Sequence, residues 1–105
     1  MTIATQVVYA GGQQPVAPYQ VASIGGTAIQ VNSGATNANQ NGIEIKGLAA
    51  NSANVYIGLA GVTTSTGFQI AAGESWLVPP TFAANDGLLY VISDGSDQAV
   101  SVAVY

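Results

Sequence analysis

Short runs in which apolar and polar residues alternate recur along most of the chain, and they predict β-strands. The runs are rich in β-branched and aromatic residues, and Gly, Pro, Asn and Ser interrupt every candidate helix. The predicted strands are residues 6–9, 27–31, 42–46, 55–58, 68–70, 75–78, 88–92 and 100–105. Many short strands at regular spacing are typical of an all-β, single-domain antiparallel β-sandwich or small barrel. The pattern leaves the strand order open between a jelly roll and a smaller barrel.

The breaks between these runs have the composition of turns. Asn41-Gly42 and Asp86-Gly87 each place a residue that tolerates positive φ before a strand. The segment 94–97, Asp-Gly-Ser-Asp, predicts a hairpin loop, and Gly73-Glu74 predicts a tight reversal. Pro79-Pro80 ends its strand because proline cannot donate a hydrogen bond to a neighbouring strand.

The first 41 residues differ in kind from the rest. Residues 11–18 are rich in Gly and Pro, which predicts an extended arm or a long loop. Residues 32–41 are polar and uncharged, which predicts a mobile loop. We therefore expect residues 1–41 to be an N-terminal arm and loop-rich extension, adding edge strands or reaching a neighbour, and residues 42–105 to be the compact β-domain.

The near-absence of charge is the strongest compositional signal. Charged residues make up 6% of the 105 residues, against about 25% in a typical domain. Lys46 is the single cation, the net charge is −4, and Arg, His and Cys do not occur. A weakly charged surface gives little self-repulsion and so favours association. One lysine cannot supply the phosphate contacts of nucleic-acid binding, and no apolar run is long enough for a membrane helix. The N-terminus shows no export signal.

The same inventory argues against an enzyme. General acid–base and nucleophilic catalysis draw mostly on His, Cys, Lys and Arg, and three of these four are missing. Lys46 and Glu44 share the face opposite Ile43 and Ile45, which indicates a solvated strand face with a weak ion pair. Asp94 and Asp97 fit a turn better than a calcium site, which usually needs six to eight oxygen ligands. We therefore predict no catalytic residues, no metal and no cofactor.

The aromatic residues divide into two groups. Trp76, Phe68 and Tyr90 lie inside apolar strands, so we expect them in the core. Tyr9 and Tyr19 flank the Gly/Pro-rich arm, and with Val7 of the first predicted strand they are the candidate partner-contact residues. A loop that packs on its own domain would place the two tyrosines equally well.

The order of segments from residue 43 onward resembles a group of short tailed-bacteriophage virion proteins. The segments are 43–51 (IEIKGLAAN), 54–58 (NVYIG), 62–75 (VTTSTGFQIAAGES) and 89–93 (LYVIS). In proteins of that group a small β-domain sits on the particle as a capsid decoration (cement) protein or as part of a fibre. The resemblance implies a β-sandwich, a homotrimer, and binding to the major capsid protein at capsomer junctions. It also implies synthesis in the host cytoplasm and a final place on the capsid surface of the virion.

Two functions of different kinds follow as hypotheses. The first is a structural virion protein that decorates and stabilises a phage capsid by binding between major capsid subunits. The alternative is a phage fibre, spike or baseplate component that contacts the host surface or a glycan. A glycan binder needs exposed aromatics beside an Asn/Asp cluster, whereas a clamp needs broad apolar or backbone-donating edges. Residues 1–20 are expected to form an arm that pairs with a neighbouring subunit or with the capsid by strand addition.

Overall fold

The computed structural model describes residues 18–105, and their architecture is all-β. Within these residues, a 3-10 turn, Asp86–Leu88, precedes the seventh strand. The eight strands are β1 (Tyr19–Ile24), β2 (Ile29–Gln30), β3 (Ile43–Gly47), β4 (Val55–Gly58), β5 (Phe68–Ile70), β6 (Ser75–Val78), β7 (Tyr90–Ser93) and β8 (Gln98–Val104).

The strands form two four-stranded antiparallel sheets that pack face to face. The first sheet has the order β1-β8-β3-β6 and the second has the order β2-β7-β4-β5. This is the strand order of an eight-stranded jelly roll. The predicted all-β sandwich is therefore confirmed, and the strand order that the sequence leaves open is that of the jelly roll.

Most connections cross from one sheet to the other. Among consecutive strands, only β4 and β5 pair directly within the described residues. The prediction that residues 94–97 close a hairpin is wrong, because β7 and β8 belong to different sheets. Gly73-Glu74 does form a tight turn, with the Glu74 N–H donating to the Ala71 carbonyl at 3.0 Å, but that turn also changes sheets. Turn chemistry marks where the chain reverses and does not say which strand it meets next.

The core lies between the inner faces of the two sheets. Strand β8 shows the expected period of two, with every second residue from Gln98 to Val104 buried. Ile43 and Ile45 of β3 are fully buried, and they pair with Val104 and Val102 of β8. Burying one such side chain contributes about 1.5–3 kcal/mol. The alternation that predicted these strands therefore also identifies the face on which the sandwich closes.

Residues 18–41, which precede the predicted compact domain, also contribute side chains to this core. Strands β1 and β2 lie at one edge of each sheet, and Ile24 and Val31 are buried in the same cluster as Ile43. No strand is predicted at β1 from the sequence, and the strand is irregular, with a positive φ of 60° at Ser23. Pairing with β8 forms this strand, with an irregular register between Val21 and Ile24.

The loop between β4 and β5 lies flat on the outer face of the second sheet. Val62 from this loop is buried against Tyr56 and Ile92. Two glycines permit the close approach: a Cβ at Gly58 would lie 2.6 Å from Val62 Cγ2, and one at Gly67 would lie 2.7 Å from Tyr56 Cβ. The loop covers the outer face of β4, whose inner face packs in the core, and it carries Leu59 to the surface beside the β5–β6 edge of the sandwich.

Candidate functional site

Ionisable groups do not gather into a reactive centre in the part of the chain that the structure describes. Residues 18–105 contain no group of three or more metal-ligating side chains. Asp94, from the predicted acidic turn, accepts a hydrogen bond from the Tyr56 hydroxyl at 3.1 Å. The same residues include no helix that could cross a membrane.

One carboxylate, that of Asp86, is fully buried. Its Oδ2 accepts hydrogen bonds from the Tyr19 hydroxyl at 2.8 Å, from Asn32 Nδ2 at 3.0 Å and from Asn37 Nδ2 at 2.9 Å. Its Oδ1 accepts from the Asn37 backbone N–H at 2.7 Å. We call these four residues the Asp86 network. It joins the start of β1, the β2–β3 loop and the 3-10 turn around one negative charge.

The hydrogen bonds of the Asp86 network hold the carboxylate in its charged form. Burial alone would raise the pKa of Asp86, but the donors from Asn32, Asn37 and Tyr19 outweigh it and keep the pKa below its ordinary value of 3.8. Burial, the hydrogen bond and the charge of Asp86 raise the pKa of Tyr19 well above its ordinary value. Tyr19 therefore remains a hydrogen-bond donor and Asp86 an acceptor, and this hydrogen bond has a structural role.

Neutral amide side chains fix the other loops in the same way. Asn39 is 5% exposed, donates to the carbonyls of Val78 and Ala83, and accepts from the Gly42 N–H. Gln98 is 2% exposed, and its Oε1 accepts from two consecutive backbone N–H groups, those of Ser52 and Ala53. The expectation of a mobile loop at residues 32–41 is therefore corrected, because Asn32, Asn37 and Asn39 anchor it. No buried side-chain polar atom among the described residues lacks a partner.

Apolar side chains, by contrast, are left uncovered where β5 and β6 end their sheets. The Phe68 ring stacks on Trp76 with centroids 4.2 Å apart, and Phe82 meets Trp76 edge-on at 5.2 Å. Phe68 is 47% exposed, Phe82 is 37% exposed, and Leu77 beside Trp76 is 55% exposed. We call Phe68, Trp76, Leu77 and Phe82 the aromatic edge.

The register of the sheets explains why these rings reach the surface. Phe68 pairs with Ile57 and Trp76 pairs with Ile45, so both rings point to the inner face of the sandwich. Each ring sits on the last strand of its sheet, where a further strand would otherwise cover it. The two rings therefore close the gap between the sheets and leave one side toward solvent.

An open groove of about 560 Å³ runs along the aromatic edge. Its lining residues are Ile57, Gly58, Leu59, Ala60, Gly61, Val62, Thr66, Gly67, Phe68, Trp76 and Phe82. No charged or amide side chain is among these described residues. A second groove, of about 450 Å³, shares Leu59, Ala60 and Phe82 with the first and adds Leu88, which is 46% exposed. The second groove also includes Gln30 and Tyr90, so the two grooves together form a mostly apolar surface.

The structure places the predicted residues in different surroundings. Tyr19 is half-buried in the Asp86 network, while Val7 and Tyr9 lie outside the described residues. The prediction that Phe68 packs in the core is wrong, because the ring lies on an edge strand. Trp76 and Tyr90 are half-buried, each against a core cluster. A sequence signal for the edge exists in residues 76–78, where Trp, Leu and Val follow one another without polar alternation.

The predicted polar face of β3 has the expected placement. Ile43 and Ile45 are fully buried, Lys46 is exposed and Glu44 is half-buried. The Tyr105 hydroxyl donates to Glu44 at 3.3 Å. This face carries the one lysine of the chain, and Glu44 lines the same surface groove as Lys46.

Comparison of the chain with models of protein families, with curated proteins and with solved structures finds no match in any of the three.

Proposed function

We propose that this chain is a structural virion protein that decorates a phage capsid and stabilises it by binding, as a homotrimer, between major capsid subunits. The observation that carries the proposal is the uncovered apolar surface of the aromatic edge and Leu88. That surface occurs in a domain whose buried polar side chains all have partners inside the described fold. Such a domain can make apolar contacts with neighbouring subunits, and this role needs no catalysis.

The energetics of decoration fit this surface. Removing apolar surface from water contributes about 25 cal/mol per Å², and an interface of about 800 Å² per partner is enough for a stable contact. A net charge of −4 with one lysine gives weak repulsion between copies held close together. Repetition over a shell, or within a trimer, raises the effective affinity without any single strong contact.

A role without catalysis agrees with the chemistry of the described residues. The buried Asp86 carboxylate is enclosed by four donors and held ionised, so it is poorly suited to accept a proton from a substrate. The full sequence supplies no histidine, cysteine or arginine. We therefore keep the proposal that the chain is not an enzyme and needs no cofactor.

The groove chemistry favours a clamp over a glycan-binding fibre or spike. Sugar recognition combines an aromatic platform with polar groups aimed at the hydroxyls. Here the platform exists in Phe68 and Trp76, and no Asn, Asp, Gln or Glu lines the 560 Å³ groove that both rings share, while Gln69 and Glu74 line a smaller groove of about 420 Å³ that Phe68 borders without Trp76. The asparagines near Asp86 are engaged within the fold. The jelly-roll topology itself is neutral, because capsid and lectin domains both use it.

The test is reconstitution on particles that lack this protein. Purified chain should bind such particles saturably and co-sediment with tail-less shells. A Leu88→Asp variant should bind at least about tenfold more weakly, since a charge is placed in an apolar contact. Thr64→Asp, an equal charge change at an exposed loop position, should bind normally.

Two results would count against decoration. One is binding to isolated tails with none to shells. The other is saturable binding to host cell-surface glycan that competes with attachment to the particle, which would support the fibre or spike alternative.

A further inference from the structure

The aromatic edge lies between two strands that each have an unpaired side. Strand β6 pairs only with β3, and β5 pairs only with β4, within the described residues. Natural sheets usually protect such edges with charged residues, proline, bulges or a covering segment. Residues 75–78, Ser-Trp-Leu-Val, contain no charge and no proline, and Leu77 is the most exposed large apolar side chain described. Another strand can therefore pair with β6 along its unpaired side.

The chain itself contains a segment of matching chemistry. Its first 43 residues carry no Asp, Glu, Lys or Arg, so they can approach an uncharged groove without burying a charge. Within them, residues 6–9 (Gln-Val-Val-Tyr) form a predicted strand whose alternate members Val7 and Tyr9 share one face. Side chains of this size suit a groove bordered by Phe68 and Trp76.

The weak charge of the chain favours association between copies, and the place where this segment joins the fold lets a second copy accept it. Residues 10–17 lie between the predicted strand and Pro18 and can span roughly 27 Å when extended. They enter at β1, which is the opposite edge of the first sheet from β6, three strand spacings or about 14 Å away. A contact from the β1 edge of one copy to the β6 edge of the next is head-to-tail, and such contacts form a ring when the rotation between copies closes and an open filament when it does not.

We propose that residues 6–9 of one copy add as a strand to β6 of a neighbouring copy and place Val7 and Tyr9 against the aromatic edge. Main-chain hydrogen bonds along β6 supply part of the affinity, and the alternate side chains supply the fit. The inference concerns the isolated protein and does not rest on the virion role, so either can fail without the other.

The single tryptophan of the chain reports directly on this contact. Light scattering and acrylamide quenching of Trp76 fluorescence are measured together on the full-length chain at micromolar concentration and on dilution. The expected result is an oligomer with Trp76 shielded, and a loss of shielding as dilution produces monomer. Val7→Asp should weaken self-association by about ten- to a hundredfold, the effect of losing one buried anchor. Gln13→Asp, an equal charge change outside the predicted strand, should behave as the wild type.

A reciprocal pair tests the receiving side. Phe68→Asp should produce monomer with Trp76 accessible, while Gln69→Asp, on the opposite face of β5, should remain oligomeric. Circular dichroism and thermal unfolding confirm that each variant is folded, as expected because the core cluster lies within residues 24–104.

Three results would overturn the proposal. The first is a wild-type monomer at micromolar concentration. The second is an oligomer that Val7→Asp leaves intact. The third is shielding of Trp76 that persists unchanged in the monomer, which would assign the groove to the same chain's own segment.

Discussion

The Asp86 network and the aromatic edge differ in whether their side chains have partners within the described fold. At Asp86, three segments distant in sequence converge, and every donor and acceptor is paired within the fold. At the aromatic edge, Phe68, Leu77 and Phe82 remain between 37% and 55% exposed although the sandwich offers room for another strand. The first region is satisfied within the described fold, and the second leaves large apolar side chains in contact with solvent.

The buried hydrogen bonds explain how a domain with six charged residues keeps a unique fold. Neutral amides take the structural role that salt bridges have in many domains, because Asn and Gln can donate and accept at once. Asn39 and Gln98 each satisfy several backbone groups that would otherwise be buried without partners. Internal hydrogen bonds therefore specify the fold, and the surface does not need charged residues for this purpose.

Of the changes at these two regions, removing the charge at the Asp86 network should have the largest effect on folding. In Asp86→Asn the new amide presents donors to the donors of Tyr19, Asn32 and Asn37, so we expect a loss of about 3 kcal/mol in the free energy of unfolding. Urea denaturation followed by circular dichroism measures it. Asp97→Asn, the same substitution at an exposed position with φ of 57°, should change stability by less than about 0.5 kcal/mol. Equal effects of the two substitutions would contradict the structural role of Asp86.

Lowering the pH should reduce the free energy of unfolding through the same carboxylate, by less than Asp86→Asn does. The pKa of Asp86 in the folded chain is below its ordinary 3.8, so its contribution is present above about pH 4 and is lost as the pH falls through the folded value. Each unit of that lowering contributes about 1.4 kcal/mol at neutral pH. Unfolding free energies measured between pH 7 and pH 2 should fall more steeply below pH 4 in the wild type than in Asp86→Asn. Parallel curves for the two proteins would mean that Asp86 does not carry this dependence.

Truncation at the aromatic edge should cost least in the monomer. Phe68→Ala removes a stacked ring that is 47% exposed, so we expect a loss of about 1 kcal/mol under monomeric conditions. The same variant should lose self-association and attachment. Ile45→Ala, at a fully buried position facing Trp76 in the sheet, should instead lose about 2–5 kcal/mol. A loss for Phe68→Ala as large as that for Ile45→Ala would show that the edge belongs to the core.

The sequence predicts the parts of this fold that depend on local pattern. Strands β3 and β8 follow from strict alternation, and the positive φ of Gly42 and Gly73 follows from their turn positions. The Asp86 network is not predictable in this way, because Tyr19 is 67 residues from Asp86 along the chain. The aromatic edge is equally hidden, since period-two patterns identify inner faces but do not tell which strands end a sheet.

The most direct test of the central claim is cryo-electron microscopy of virions that carry this protein. We expect density for the jelly roll distributed over the whole icosahedral shell, with the aromatic edge and Leu88 packed against protein density of neighbouring subunits. Density confined to a tail or a single vertex, or shell density in which Phe68 and Leu77 face open solvent, would contradict it.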